Sequence, residues 1–145
     1  MRNIDAMYVD TSALVKLYVE EPDSDACEAT VAGNPLASSS LLYCEFRSAL
    51  LGKLSRMVIS RAFLEEVWEA FEDYIAVNRI HLIPVNDRLV NEAAGIVDEL
   101  YPSVRLRTLD ALHLATYKSV LAGPLFSRDI RMLQAAARMG LTLAG

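Results

Sequence analysis

Ala6-Met7-Tyr8-Val9-Asp10-Thr11-Ser12-Ala13-Leu14-Val15-Lys16 is the stretch that decides the fold. Its first four residues form an apolar run without alternation, the pattern of a strand covered on both faces of a sheet. Asp10 ends the run, and Thr11-Ser12 supply capping hydroxyls, so a strand over 6–10 is expected to pass directly into a helix through Val19. Glu20-Glu21-Pro22 closes that helix, because proline disfavours helical geometry in the residue before it. A strand feeding a helix is half of a βα unit, and repetition of such units builds a mostly parallel sheet.

The same alternation continues along the chain. A helix is expected over about 24–32, closing at Gly33-Asn34-Pro35, followed by a short strand from Leu36 to Ser38 and a helix capped by Ser39 or Ser40 that runs to about Arg56. Residues 60–78 give the clearest amphipathic helix, with Phe63, Leu64, Val67, Trp68, Phe71, Tyr74 and Ile75 on one stripe and Glu65, Glu66, Glu69 and Glu72 opposite. Ile80 to Val85 reads as a β-branched strand, Asp87 as the cap of a helix to about Leu100, and Thr108 as the cap of another to about Leu121. Gly123-Pro124 turns into a strand at 125–127, and a helix over 130–138 and a strand over 141–143 complete the chain. With no linker and no repeat, residues 1–145 are expected to form a single domain.

A chain of 145 residues needs no staples, since a domain of roughly 150 residues buries about 70% of the surface its unfolded chain exposes. A hydrophobic share of 53% and a charged share of 23% fit a full core rather than a disordered chain. No apolar run approaches the roughly 18 residues of a membrane span, and Met1-Arg2-Asn3-Ile4-Asp5 lacks the apolar segment of a signal peptide, so a cytoplasmic location is expected. Cys27 and Cys44 have no paired spacing and no second Cys/His cluster to complete a zinc site; both are expected as buried thiols. The net charge of −5 argues against a coat protein that binds nucleic acid by counterion release. A nuclease is not excluded by that charge, because its site carboxylates are counted in it and divalent cations would offset them.

Four acids stand where chemistry would need them. Asp10 and Asp129 follow the strands at 6–10 and 125–127, and in open α/β sheets ligands sit beyond the carboxyl ends of strands, where the strand order reverses. Glu45 lies beside the stripe Leu42, Phe46 and Ala49 on a helix that also carries Leu41, Cys44 and Leu51, so little solvent is expected around it. Asp110 opens the almost wholly apolar Leu109-Asp110-Ala111-Leu112-His113-Leu114-Ala115. Taken singly, each acid has a plain structural account, as a helix N-terminal acid or a buried partner of arginine. Gathered in one pocket, carboxylates repel by roughly 3 kcal/mol per close pair at an effective dielectric near 20, and they protonate or recruit a cation. Carboxylate oxygens suit Mg²⁺ or Mn²⁺, which can activate water against a phosphodiester.

The remaining candidates carry less. Asp87 is expected only as a helix cap, and the other acids as solvated surface. His113 shares a helical face with Asp110 and could orient it, although a histidine in an apolar helix is more often a satisfied core residue. His81 has no partner suggested by spacing. A phosphoaspartate receiver would require further acids before its phosphorylated aspartate and a later lysine, and a haloacid-dehalogenase phosphatase a second Asp where Ser12 stands.

The segment Tyr8-Val9-Asp10-Thr11-Ser12-Ala13-Leu14-Val15-Lys16 resembles the opening motif of PIN-domain ribonucleases, especially the VapC-like toxins of toxin-antitoxin pairs. Leu42-Tyr43-Cys44-Glu45-Phe46-Arg47-Ser48-Ala49-Leu50, the segment from Leu109 to Ala115, and Phe126-Ser127-Arg128-Asp129-Ile130-Arg131-Met132-Leu133 resemble the family segments bearing the second, third and fourth acids. Ser127 stands where the family usually has threonine. The resemblance spans essentially the whole chain and implies a three-layer α/β/α sandwich whose central sheet of four to five strands is ordered 3-2-1-4-5. It further implies an Mg²⁺- or Mn²⁺-dependent endoribonuclease with Asp10, Glu45, Asp110 and Asp129 as the catalytic, metal-holding pocket. Asp10 and Asp110 would be the direct ligands, Asp129 would complete the pocket and Glu45 would act through water. Thr11, Ser12 and Ser127 would steady water or carboxylates from behind. Lys16, Arg47, Arg128 and Arg131 would contact RNA phosphates, a cognate antitoxin would bind, with part of the 63–71 stripe as its groove, and the chain would form a homodimer. The rival within the same fold is a non-catalytic RNA-binding or scaffold protein.

Overall fold

Strand β1 (Met7–Val9) has every side chain buried. Met7 and Val9 enter one apolar core and Tyr8 enters another, because successive strand residues point to opposite faces of a sheet. The computed structural model describes residues 4–120 and 123–145. Beyond β1 these form α1 (Thr11–Tyr18), α2 (Ser24–Val31), β2 (Leu36–Ser39), α3 (Leu41–Ser55), α4 (Arg61–Ala76), β3 (Ile80–Ile83), α5 (Asp87–Leu100), α6 (Thr108–Val120), β4 (Leu125–Phe126) and α7 (Ile130–Arg138).

The strands make a parallel sheet in the order β3-β2-β1-β4. Helices α1 to α4 cover the face that carries Met7, Val9, Leu36 and Phe126, and α5 to α7 cover the face that carries Tyr8 and Leu125. The three-layer α/β/α sandwich expected from the sequence is therefore present. β1 is covered on both faces, which is why its run of Met7, Tyr8 and Val9 lacks alternation. The chain steps outward from β1 to β2 and β3 and then returns to the other side of β1 with β4, in register Tyr8↔Leu125 and Val9↔Phe126. The strand order reverses there, so the residues just after β1 and β4 are neighbours at one sheet edge.

Several local expectations need correction. The expected strand at 141–143 is reduced to one parallel bridge, Leu125↔Leu143, because its partner β4 is only two residues long. Asp10, not Thr11 or Ser12, caps α1 by accepting from the Ala13 amide, and Asn86, not Asp87, caps α5 by accepting from Leu89. Thr108 is already helical, with the Arg107 carbonyl accepting from the Ala111 amide at 3.0 Å. Cys27 is buried but Cys44 is exposed, since α3 buries Leu42, Phe46 and Leu50 and turns Cys44 away. Leu51 is exposed for the same reason, and Glu45 keeps 21% of its side chain accessible. On α4 the buried stripe narrows to Leu64, Val67 and Phe71, leaving Phe63 and Tyr74 exposed. The reading of the first residues, Met1 to Asn3, and the expected helix end at Leu121 lie outside the described residues.

Candidate functional site

Asp10 leaves β1 with 4% of its surface exposed, and its cost of burial is met by three donors. Its Oδ1 accepts from the Ser12 hydroxyl at 2.6 Å and the Ala13 amide at 3.1 Å, and its Oδ2 accepts from the Ser127 hydroxyl at 2.5 Å. Burial raises the Asp10 carboxyl above its ordinary value, and these donors hold it back by favouring the ionised form. The two hydroxyls accept in turn: Ser12 Oγ from the Arg128 amide at 2.8 Å and Ser127 Oγ from the Asp129 amide at 3.0 Å. Both hydroxyl protons are thereby spent on Asp10, so the 3.3 Å approach of Ser12 to Ser127 is contact rather than bonding. The loop after β1 and the loop after β4 are laced together through one carboxylate.

Asp129 caps α7, its Oδ1 accepting from the Arg131 and Met132 amides at 2.9 and 3.2 Å. Asp110, 8% exposed, lies in the first turn of α6. Arg107 joins them: its Nε donates to Asp110 Oδ2 at 3.1 Å and its Nη2 to Asp129 Oδ2 at 3.0 Å. Glu45, on α3, meets His113 Nε2 through Oε1 at 2.6 Å. His113 is 2% exposed, and its Nδ1 lies 2.6 Å from the Tyr8 hydroxyl. That hydroxyl accepts from the Ser39 amide at 3.1 Å, and an arrangement that satisfies every group places its proton toward Nδ1 and the imidazole proton on Nε2, donated to Glu45. Burial pushes the Tyr8 phenol far above its ordinary value, which keeps it a donor.

Asp10, Thr11, Ser12, Glu45, Arg107, Asp110, His113 and Asp129 line one pocket of about 180 Å³. All four acids named from the sequence are thus brought together, from four different elements. Ser127 stands behind Asp10, and Thr11 Oγ1 is buried at the pocket wall without a hydrogen-bond partner among the described residues. Arg128 and Arg131 join Arg107, Asp129 and Ile130 around a neighbouring open depression of about 410 Å³. Lys16 and Arg47 line neither: Lys16 pairs with Glu21 and, at 3.0 Å, with Asp23, while Arg47 pairs with Glu65 at 3.1 Å and lies over the Trp68 ring at 5.1 Å.

Arg107 and Tyr8 were not singled out from the sequence, and His113 was weighed there mainly as a core residue. Arg107 was legible only as a basic residue three positions before Asp110, a spacing that places two side chains on one helical face. Tyr8 had a signal in its type, since a phenol in a fully buried strand must find a partner for its hydroxyl. His113 is both what its plain account held, a satisfied core histidine, and a wall of the pocket.

The oxygen-rich lining has the chemistry of a hard-cation site. Among the described residues no three His, Cys, Asp or Glu side chains converge closely enough to hold an ion between them, Arg107 being interposed between Asp110 and Asp129. An ion here would take one or two carboxylates and fill its other positions with water, the usual habit of Mg²⁺.

The chain is 35% identical over 143 residues to Ribonuclease VapC46 of Mycobacterium tuberculosis, covering 95% of each sequence. Its fold is shared with VapC20 of Mycobacterium tuberculosis, described as a sarcin-ricin loop cleaving toxin, at a TM-score of 0.66 and 17% identity over 90% of this chain and 95% of that one. A toxin-antitoxin complex from Klebsiella pneumoniae superposes with a TM-score of 0.55 at 18% identity, covering 86% of this chain and 87% of that one. The PIN domain pattern matches residues 7–138, from the first residue of β1 to the last of α7 and so across every element that builds the pocket, and the chain belongs to the PIN domain family.

Proposed function

We propose that this protein, acting as one domain over residues 1–145, is a VapC-like endoribonuclease that uses Mg²⁺ or Mn²⁺ in the acidic pocket. The observation that carries this is the convergence of Asp10, Glu45, Asp110 and Asp129 on one small pocket at the strand-order reversal. The orphaned Thr11 hydroxyl on the same wall supports a polar guest such as metal-bound water. The similarity to a protein named as a ribonuclease supports the choice of RNA as substrate.

Asp10 and Asp110 would hold the ion, and Asp129 would complete the pocket. The bound ion supplies Lewis-acid activation of water and offsets charge on the phosphodiester. Ser12, Ser127 and the Ala13 amide favour the ionised form of Asp10, against the burial that raises its carboxyl. Glu45, steered by His113 Nε2, keeps Oε2 free to take the proton of the attacking water. Water attacks phosphorus, the bond from phosphorus to the 3′ oxygen breaks, the departing oxygen takes a proton from solvent, and the products carry 5′-phosphate and 3′-hydroxyl ends. Arg131, and Arg128 once it leaves its pair with Asp23 at 2.9 Å, would meet flanking phosphates at the depression beside Asp129.

The toxin role brings with it a cognate antitoxin, a homodimeric assembly and a cytoplasmic location; the relatives' names support the first. The test is cleavage of cellular RNA by purified wild-type protein and Asp10→Asn, with Mg²⁺, Mn²⁺ or chelator, and mapping of the new ends. Metal-dependent ends lost in Asp10→Asn are expected. Equal cleavage profiles, or robust RNA binding without cleavage under either ion, would overturn the reading in favour of a binding protein.

A further inference from the structure

Arg107 is the only arginine or lysine among the described residues that line the acidic pocket. Its guanidinium satisfies two acids that would otherwise repel, one oxygen of Asp110 and one of Asp129. It does so from the surface: 60% of its side chain is exposed, against 11% and 27% for its two partners. The carboxylates are held by the fold, Asp129 as the α7 cap and Asp110 in the α6 first turn, while the arginine is a long arm that can leave. It also walls the adjoining depression with the exposed Arg128 and Arg131. A small swing would take its fork from carboxylates to that basic rim.

Resting on the metal reading above, we propose that Arg107 is the resident counter-cation of the pocket and exchanges places with the divalent ion. An ion entering beside Asp110 repels the guanidinium and takes over its charge-neutralising role. The freed fork, whose planar donors match phosphate geometry, then joins Arg128 and Arg131 on the RNA backbone. Arg107 thus opposes metal binding in the free protein and aids substrate binding once the metal is in. A fixed structural ion pair would oppose the metal but would gain no phosphate contact when the metal enters.

The exchange is tested with Arg107→Gln. Because the side chain is largely exposed the variant is expected to fold, which its thermal transition without metal checks. Calorimetric titration with Mn²⁺ alone should show the variant binding about threefold to tenfold more tightly than wild type, the size set by two exposed pairs that no longer compete. Binding of a short oligoribonucleotide across a salt series, with Ca²⁺ in place of Mg²⁺, should show a shallower salt dependence for the variant, by about 0.7 in log–log slope, with no such difference in chelator. Equal or weaker Mn²⁺ binding by Arg107→Gln, alongside clear binding by wild type, overturns the exchange and leaves the metal reading standing. A slope difference that is the same with and without ion also overturns it. No Mn²⁺ binding by either protein removes the metal reading, and the exchange with it.

Discussion

Tyr8→Phe removes a single oxygen from the centre of the molecule, and its effect can be worked out from the bonds that oxygen makes. The ring stays in place, so no cavity of consequence opens. Two groups lose their partner: the Ser39 amide, in a residue with no exposed surface, and His113 Nδ1, in a side chain 2% exposed. A buried polar group left unsatisfied costs about 1–3 kcal/mol, and part of that is returned because the variant no longer buries a hydroxyl. The net expectation is about 2–4 kcal/mol, a large share of the 5–15 kcal/mol typical of a domain. It is read by urea denaturation of metal-free protein at neutral pH, followed through the lone Trp68, which packs against the core beside α3. Tyr74→Phe is the internal reference: Tyr74 is 48% exposed, and loss of its hydroxyl should cost no more than about 0.5 kcal/mol. The variant should also free His113 to carry its proton on Nδ1, which imidazole ¹⁵N shifts report and which would loosen the hold on Glu45. Coincident midpoints for the two tyrosine variants, or an unchanged imidazole spectrum, would refute the hydroxyl bridge.

Three further outcomes follow from the same site. Burial raises the Asp10 carboxyl, so the folded protein binds that proton more tightly than the unfolded chain and stability falls as pH rises past the unfolded value of about 3.9. Asp10→Asn lifts that penalty, so without metal it should unfold at higher urea than wild type at neutral pH, the gap closing in acid; a less stable variant at neutral pH contradicts this. Ser127→Ala removes a donor to ionised Asp10, so the acid limb of the cleavage-rate profile should move to higher pH, and an unmoved limb would show that the hydroxyl does not tune the carboxylate. Arg131→Ala should flatten the salt dependence of RNA binding by about 0.7 in slope, whereas Lys16→Ala, whose ammonium is committed to Glu21 and Asp23, should leave it unchanged; the opposite ranking would move the RNA path to the Lys16 side.

Much of this molecule was legible without coordinates because it depends on local order. The unalternating run Met7 to Val9 calls for cover on both faces, and the parallel sheet between helical layers supplies it. The positions of Asp10 and Asp129 after strands, and of Glu45 and Asp110 on helices, are likewise set by short-range pattern. Cap identities shifted by one residue at α1 and α5, since neighbouring Asp, Asn, Thr and Ser compete for one role on nearly equal terms. Contacts between residues far apart in the chain were beyond reach. Tyr8 and His113 stand 105 positions apart, Glu45 and His113 68, and Asp10 and Ser127 117, and no periodicity links such pairs. Arg107 spans both regimes: its bond to Asp110 follows from helical spacing, but its bond to Asp129, 22 positions on, exists only because β4 returns beside β1. The sequence by itself determined which acids the protein has and which edge they occupy; the tertiary structure decided what holds each one, because partners in a low-dielectric pocket are chosen by proximity in space rather than by order along the chain.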